Sequence, residues 1–188
     1  MSFKYSCYRR HFCHIVLIVT NLYVFKTKKK NIANLIFGEK RIPCFVGKNG
    51  IGRKTREGDK ITPIGVYKLL KVFYRQDRIK IPQTKIPRKS IKKNSYWCVD
   101  SKNCFYNCYI QKRINLFYEN LYRKDDLYDI FITCDYNIGP TKKFKGSAIF
   151  VHCSNEMTKF TEGCIALEKK YFLEILKFIG PFSKLIIY

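Results

Sequence analysis

Apolar and polar residues alternate along much of this chain. From residue 34, NLIFGEKRIPCFVGKNGI swings between the two around Gly38-Glu39, as two strands joined by a tight turn do, and stops at a glycine-punctuated turn. GRKTREGDKITPIGVYKLLKVFY reads as a polar, Gly-rich loop feeding a β-branched strand that begins near Ile64. Residues 75–93 carry Pro82 and Pro87 among scattered Lys and Arg with no clean period, which predicts an extended loop across one end of a sheet. SYWCVDSKNCFYNCYI predicts a short strand, a polar turn and a second strand; DLYDIFITCDYN and SAIFVHC each predict one more, the last ending at His152. Near the C-terminus the period changes. Phe172, Ile175, Leu176 and Ile179 fall at helical spacing, Gly180-Pro181 stops the helix, and SKLIIY closes the chain as a strand. No internal repeat is present. The pattern predicts one α+β domain built mainly of antiparallel sheet.

Composition agrees with a packed domain: 188 residues, 46% hydrophobic and 16% aromatic, are enough for one good core and too few for two. Residues 1–33 are set apart from the domain at 34–188. The apolar stretch 15–25, led by basic residues, imitates a signal-like leader. Thr20 and Asn21 interrupt it, it is too short for an integral membrane span, and Lys follows where a small-residue cleavage site belongs, so a buried first strand competes with the leader reading. Localisation is left open between the cell envelope and the cytoplasm.

Charge changes the picture less than its size suggests. The formal charge of +23 invites a nucleic-acid partner. Outside residues 26–30 the lysines are spread rather than blocked, and no zinc-ligand spacing, RNP-like aromatic signature or basic helix accompanies them. A solvated Lys-rich surface is the plainer account and no nucleic-acid partner is expected, with an anionic polymer such as peptidoglycan as an alternative. Nine cysteines without a CxxC pair argue against both a structural zinc site and a small disulfide framework. They read as reduced, mostly buried, small hydrophobes.

The candidate chemistry lies in GSAIFVHCSNEMTKFTEGCIAL, residues 146–167, where His152 and Cys164 stand twelve positions apart. The residues alone leave three readings: a Cys–His catalytic pair, half a metal site, or two core residues. An imidazole beside a thiol lowers its pKa and shuttles its proton, and Gly163 frees the backbone so that the N–H groups of Gly163 and Cys164 can hold an oxyanion. Thr161 offers a hydroxyl for orientation or for substrate. Against a metal, His152 and Cys153 are strand neighbours and point to opposite faces, so no metal is expected. Trp97, Tyr106 and Asn107 read as core or turn residues. Of the aromatic–Asn pairs that could line a cleft, Tyr136 and Asn137 are carried as substrate-side candidates.

Taken together, VHC followed by TEGC, the Gly-rich turn before Thr62, Pro63, Gly65 and Tyr67, and the blocks YWCVDSKNCFYN and DLYDIFITCDYN in that order resemble the L,D-transpeptidase catalytic domain (the YkuD type) from residue 34 to the C-terminus. The resemblance implies a β-sandwich with a C-terminal helix. It implies Cys164 as nucleophile and His152 as general base and acid in acyl transfer on peptidoglycan stem peptides, with no cofactor. A monomer is expected. Two positions depart from the pattern: Glu162 stands where many members have a second histidine, and Ala166 where they carry an arginine two residues after the cysteine. A cysteine hydrolase acting on a related substrate, and a non-catalytic basic protein that binds an anionic polymer, are the competing functions.

Overall fold

The computed structural model describes residues 20–112 and 117–188. In chain order the elements are β1 (Leu22–Lys26), β2 (Ile32–Phe37), β3 (Lys40–Phe45), β4 (Ile51–Gly52), β5 (Thr62–Pro63), β6 (Gly65–Tyr74), β7 (Arg88–Ser90), β8 (Tyr96–Cys98), β9 (Tyr109–Ile110), β10 (Tyr118–Asn120), β11 (Ile130–Cys134), β12 (Phe150–Ser154), β13 (Ile165–Glu168), α1 (Lys169–Leu176) and β14 (Lys184–Ile187). The main sheet runs β11-β12-β13-β3-β2-β1-β14-β6-β7, and β6 also pairs with β11. That extra pairing closes the sheet on itself. β6 is long enough to serve two neighbours: Gly65–Lys68 pair with β14, and Leu69–Tyr74 with β11. A separate three-stranded sheet, β10-β8-β9, lies outside this ring.

The alternation read from the sequence becomes two cores. Ile130, Ile132 and Cys134 of β11, with Val151 and Cys153 of β12, join the larger cluster inside the ring, together with Leu22, Leu35, Ile165, Leu185 and the apolar face of α1. Their neighbours Phe131 and Phe150 point the other way and pack with Phe73, Trp97 and Tyr128 under the three-stranded sheet. Successive side chains on a strand face opposite sides, so one ladder serves both cores. The second is built around aromatic rings: Phe73 stacks on Phe131 with centroids 4.9 Å apart, and Trp97 meets Phe150 edge-to-face with centroids 4.9 Å apart.

Several details differ from the sequence pattern. The main sheet is mixed, because β1–β14, β12–β13 and β6–β7 are parallel, and β4 and β5 form a separate parallel pair. β7 is a three-residue strand inside the stretch expected to be loop; it is polar and pairs along one side only, so periodicity could not reveal it. β12 begins at Phe150 rather than at residue 147, because Ala148 adopts a left-handed φ of 51° and leaves the extended region. At its other end the strand runs on to Ser154, so His152 stands in mid-strand rather than at its end. The helix finishes at Leu176, after which the Phe178 N–H closes a tight turn on the Ile175 carbonyl, yet Ile179 stays buried as its spacing predicts. In the N-terminal segment, residues 1–19 lie outside the described residues; β1 follows and pairs with β2 and β14. No helix among the described residues is long and apolar enough to cross a membrane.

Candidate active site

Cys164 ends the turn before β13, and His152 is carried by the neighbouring strand. β12 and β13 run parallel with Val151 opposite Ile165 and His152 opposite Ala166. A loop of ten residues, 155–164, makes the return, which is why the histidine and the cysteine are close in space as well as in sequence. Both side chains are mostly covered, 6% and 8% exposed, and both line one cleft of about 890 Å³ between this strand pair and the three-stranded sheet. Glu57, Glu119, Arg123, Tyr128, Lys159 and Thr161 also line it. Cys153 turns inward, where its Sγ bonds the Ile130 carbonyl at 3.6 Å.

The histidine is held in one tautomer. Its Nδ1 lies 2.8 Å from the Cys153 carbonyl oxygen, which can only accept, so Nδ1 carries the proton and Nε2 keeps its lone pair. The Tyr128 ring packs edge-to-face with the imidazole, centroids 5.3 Å apart, and the Tyr128 hydroxyl donates to Glu119. Burial lowers the His152 pKa to about 4, although the bond to the Cys153 carbonyl pulls it up.

On the cysteine side, the Cys164 thiol donates to the Ala148 carbonyl at 3.0 Å and accepts from the Phe150 N–H at 3.4 Å. Burial pushes its pKa well above the usual thiol range, and the nearby Glu119 carboxylate adds to this. At neutral pH the pair is therefore a neutral thiol and a neutral imidazole, not a thiolate–imidazolium pair.

A local hydroxyl and a distant one grip the turn that presents the thiol. The Cys164 carbonyl accepts from Thr161 Oγ1 at 2.7 Å and from Thr62 Oγ1 at 3.3 Å. Thr62 in turn accepts from the Gly47 N–H at 2.8 Å. Gly163 has φ +139°, and a Cβ there would stand 3.0 Å from the Ile61 carbonyl oxygen and 3.1 Å from the Ile149 side chain, so the backbone bends as it does only because the residue is glycine. Behind it lies a buried ion pair, Lys54 Nζ to Asp59 Oδ1 at 2.5 Å. Burial raises the Asp59 carboxyl, but Lys54 and the N–H groups of Thr55, Ile61 and Arg56 outweigh this and hold it below the ordinary carboxylate range. Asp59 thus folds the Gly-rich loop against the turn.

The structure brings His152, Cys164, Thr161 and Gly163 together and places Tyr136 and Asn137 elsewhere. Those two line a separate hollow of about 320 Å³, with the Tyr136 hydroxyl donating to the Lys145 carbonyl and the Asn137 amide binding the Lys142 and Gly146 carbonyls. Their polar groups shape the 135–146 loop. Thr161 lines the cleft, but its hydroxyl is engaged with backbone on both sides, donating to Cys164 and accepting from the Gly163 N–H at 3.1 Å. Of the two N–H groups expected to hold an oxyanion, that of Gly163 is therefore occupied in this state. Ala166, fully buried beside His152, leaves no side chain there to reach a substrate, while Arg123 lines the cleft with its guanidinium forked onto Asp125. Sequence reasoning missed Tyr128, Ala148 and Glu119. Tyr128 is one aromatic among many, and the role of Ala148 lies in its carbonyl. Thr62 carried a signal, the Thr-Pro of TPIG, but nothing in it named the partner. Among the described residues, no group of three or more His, Cys, Asp or Glu side chains is gathered to hold a metal.

No curated protein matches the sequence. One solved structure, an L,D-transpeptidase from Mycobacterium smegmatis, is similar at 11% identity and a TM-score of 0.39; the match covers 90% of this chain and 59% of that one. The sequence matches the YkuD family, described as the L,D-transpeptidase catalytic domain, over residues 15–187. By that match, which spans nearly its whole length, the chain belongs to the L,D-transpeptidase catalytic domain family.

Proposed function

We propose that the protein is a cysteine acyltransferase that cross-links peptidoglycan stem peptides through a thioester on Cys164. The observation that carries the reading is that Cys164 and His152 line one cleft, with His152 Nδ1 committed to the Cys153 carbonyl so that Nε2 is available as base. On this reading the thiol turns from the Ala148 carbonyl toward Nε2 as substrate enters. Sulfur attacks the carbonyl carbon of a diaminopimelate residue while the proton passes to His152. The Cys164 N–H stabilises the oxyanion, and Gly163 joins it if its N–H leaves Thr161. Collapse expels the terminal D-alanine, whose amine takes the proton back from His152. An amine of a neighbouring stem then attacks the thioester, giving the cross-link and restoring the thiol. Attack by water instead makes the protein a carboxypeptidase.

The test is intact-mass analysis of wild type and Cys164→Ala after incubation with a diaminopimelate-containing tetrapeptide. A covalent adduct on wild type alone, with loss of D-alanine, is expected. Cross-linked dimer identifies the transferase and tripeptide the hydrolase. An adduct that persists on Cys164→Ala assigns the nucleophile to another cysteine and ends this reading.

A further inference from the structure

Asn107 lies outside the cleft, only 2% exposed, and every polar atom of its side chain has a partner. Oδ1 accepts from Trp97 Nε1 and from the Ala148 N–H, each at 2.9 Å. Nδ2 donates to the Asn137 carbonyl at 2.8 Å and to the Tyr136 carbonyl at 3.2 Å. Two acceptor lone pairs and two donors are the whole capacity of an amide, so no other side chain of this size can replace it. Asn107 itself has φ +61°. Its N–H bonds the Cys98 carbonyl at 2.8 Å while the Cys98 N–H bonds the Cys108 carbonyl at 2.9 Å. That is a bulge in which Asn107 takes the left-handed position usually given to glycine, and it re-aims the side chain off the β8–β9 ladder.

The side chain arrives at Ala148, the other end of a short relay. Ala148 is also left-handed, at φ +51°, a conformation an alanine holds only when its surroundings impose it. The Ala148 N–H goes to Asn107 and its carbonyl takes the Cys164 thiol at 3.0 Å. We propose that Asn107 is a positioning residue for the nucleophile: by fixing Ala148 in this conformation it aims the carbonyl that holds Cys164 as an oriented, protonated thiol. The proposal rests on the reading of Cys164 as nucleophile. A hydrogen bond donated by the thiol favours the protonated form, so losing the acceptor makes the sulfur easier to ionise and, at the same time, less well aimed.

These opposite effects give a signature that loss of packing does not produce. In Asn107→Gly the left-handed backbone is kept and all four side-chain bonds are removed. Trp97→Phe removes one of those bonds and leaves the link to Ala148. Iodoacetamide labelling of each full-length protein near pH 8, read by mass spectrometry at Cys164, Cys134 and Cys153, separates the outcomes. For Asn107→Gly the expected result is Cys164 labelling about fivefold faster, the size of one net hydrogen bond, with its rise shifted to lower pH. Cys134 and Cys153 in the inner core stay at wild-type rates, and acyl-transfer kcat falls about tenfold with KM little changed. Trp97→Phe leaves the Cys164 profile where it was. An unchanged Cys164 profile in Asn107→Gly overturns the proposal. Equal acceleration at all three cysteines also overturns it, by reducing Asn107 to a residue of the fold. If wild-type Cys164 labels yet forms no thioester with the tetrapeptide, the acyl-transfer reading fails while the Asn107 comparison still stands.

Discussion

On the inner side of the β11–β12 ladder, Ile130, Ile132, Val151 and Cys153 meet strands from the whole ring and the helix. On the outer side, Phe131 and Phe150 meet Trp97, Tyr128 and Cys164, and His152 opens onto the cleft. The same two strands supply both, one residue apart. Cys153 and Cys164 make the contrast sharpest, because burial raises the pKa of both thiols, Cys153 to about 12 and Cys164 higher still. Burial and acidity therefore do not mark the proposed nucleophile. Its address does: Cys164 borders a cavity that it shares with an imidazole, whereas Cys153 faces only the inner core.

The largest expected effect separates the two cysteines directly. Cys164→Ala should lower acyl transfer by about 10⁴-fold or more, while Cys153→Ala leaves activity per folded molecule unchanged and shows only in the melting curve. A second pair of variants tests the faces themselves. Ile132→Ala and Phe150→Ala should each cost about 3 to 5 kcal/mol in denaturant titrations. Only Phe150→Ala should also lower kcat, because the Phe150 N–H bonds the Cys164 thiol and the void left by the ring lets that backbone shift. Equal loss of kcat in both would dissolve the division of labour.

Acid comes next. Folded His152 takes its proton near pH 4 and the unfolded side chain near 6.5. Between those values the unfolded chain binds more protons, so stability falls as pH drops through this window, by roughly 3 kcal/mol at its foot. His152→Gln should flatten that slope in urea titrations run from neutral pH downward, and Ile132→Ala should leave it intact. The smallest effect is at the turn. Thr62→Val removes the donor to the Cys164 carbonyl and strands the buried Gly47 N–H, costing about 1 to 3 kcal/mol. Labelling of Cys164, read against Cys153, measures how far the turn relaxes.

Much of this arrangement is written in local pattern. The hairpin around Gly38-Glu39, the strand at 130–134, the helix whose Phe172, Ile175 and Leu176 are buried, and the closing strand all follow from periodicity and punctuation, because each buries a face that its own sequence defines. The opposite orientation of His152 and Cys153 was equally legible, since it needs only a strand. Which of two adjacent faces would be covered by a second sheet was not. Nor was the closure of the ring through β6, a pairing between segments about sixty residues apart.

The chain by itself determined the parts of the candidate site: a histidine on a strand, a glycine that can bend, and a cysteine after it. Only tertiary structure decided what they meet. Thr62 joins Thr161 on the Cys164 carbonyl from a hundred residues away, Asn107 reaches Ala148 from another sheet, and Tyr136 and Asn137 are drawn into a loop of their own. The reason is physical. A side chain's hydrophobicity and backbone preference are carried by its neighbours in sequence, whereas a hydrogen bond needs a partner within about 3 Å, and folding alone brings distant residues that close.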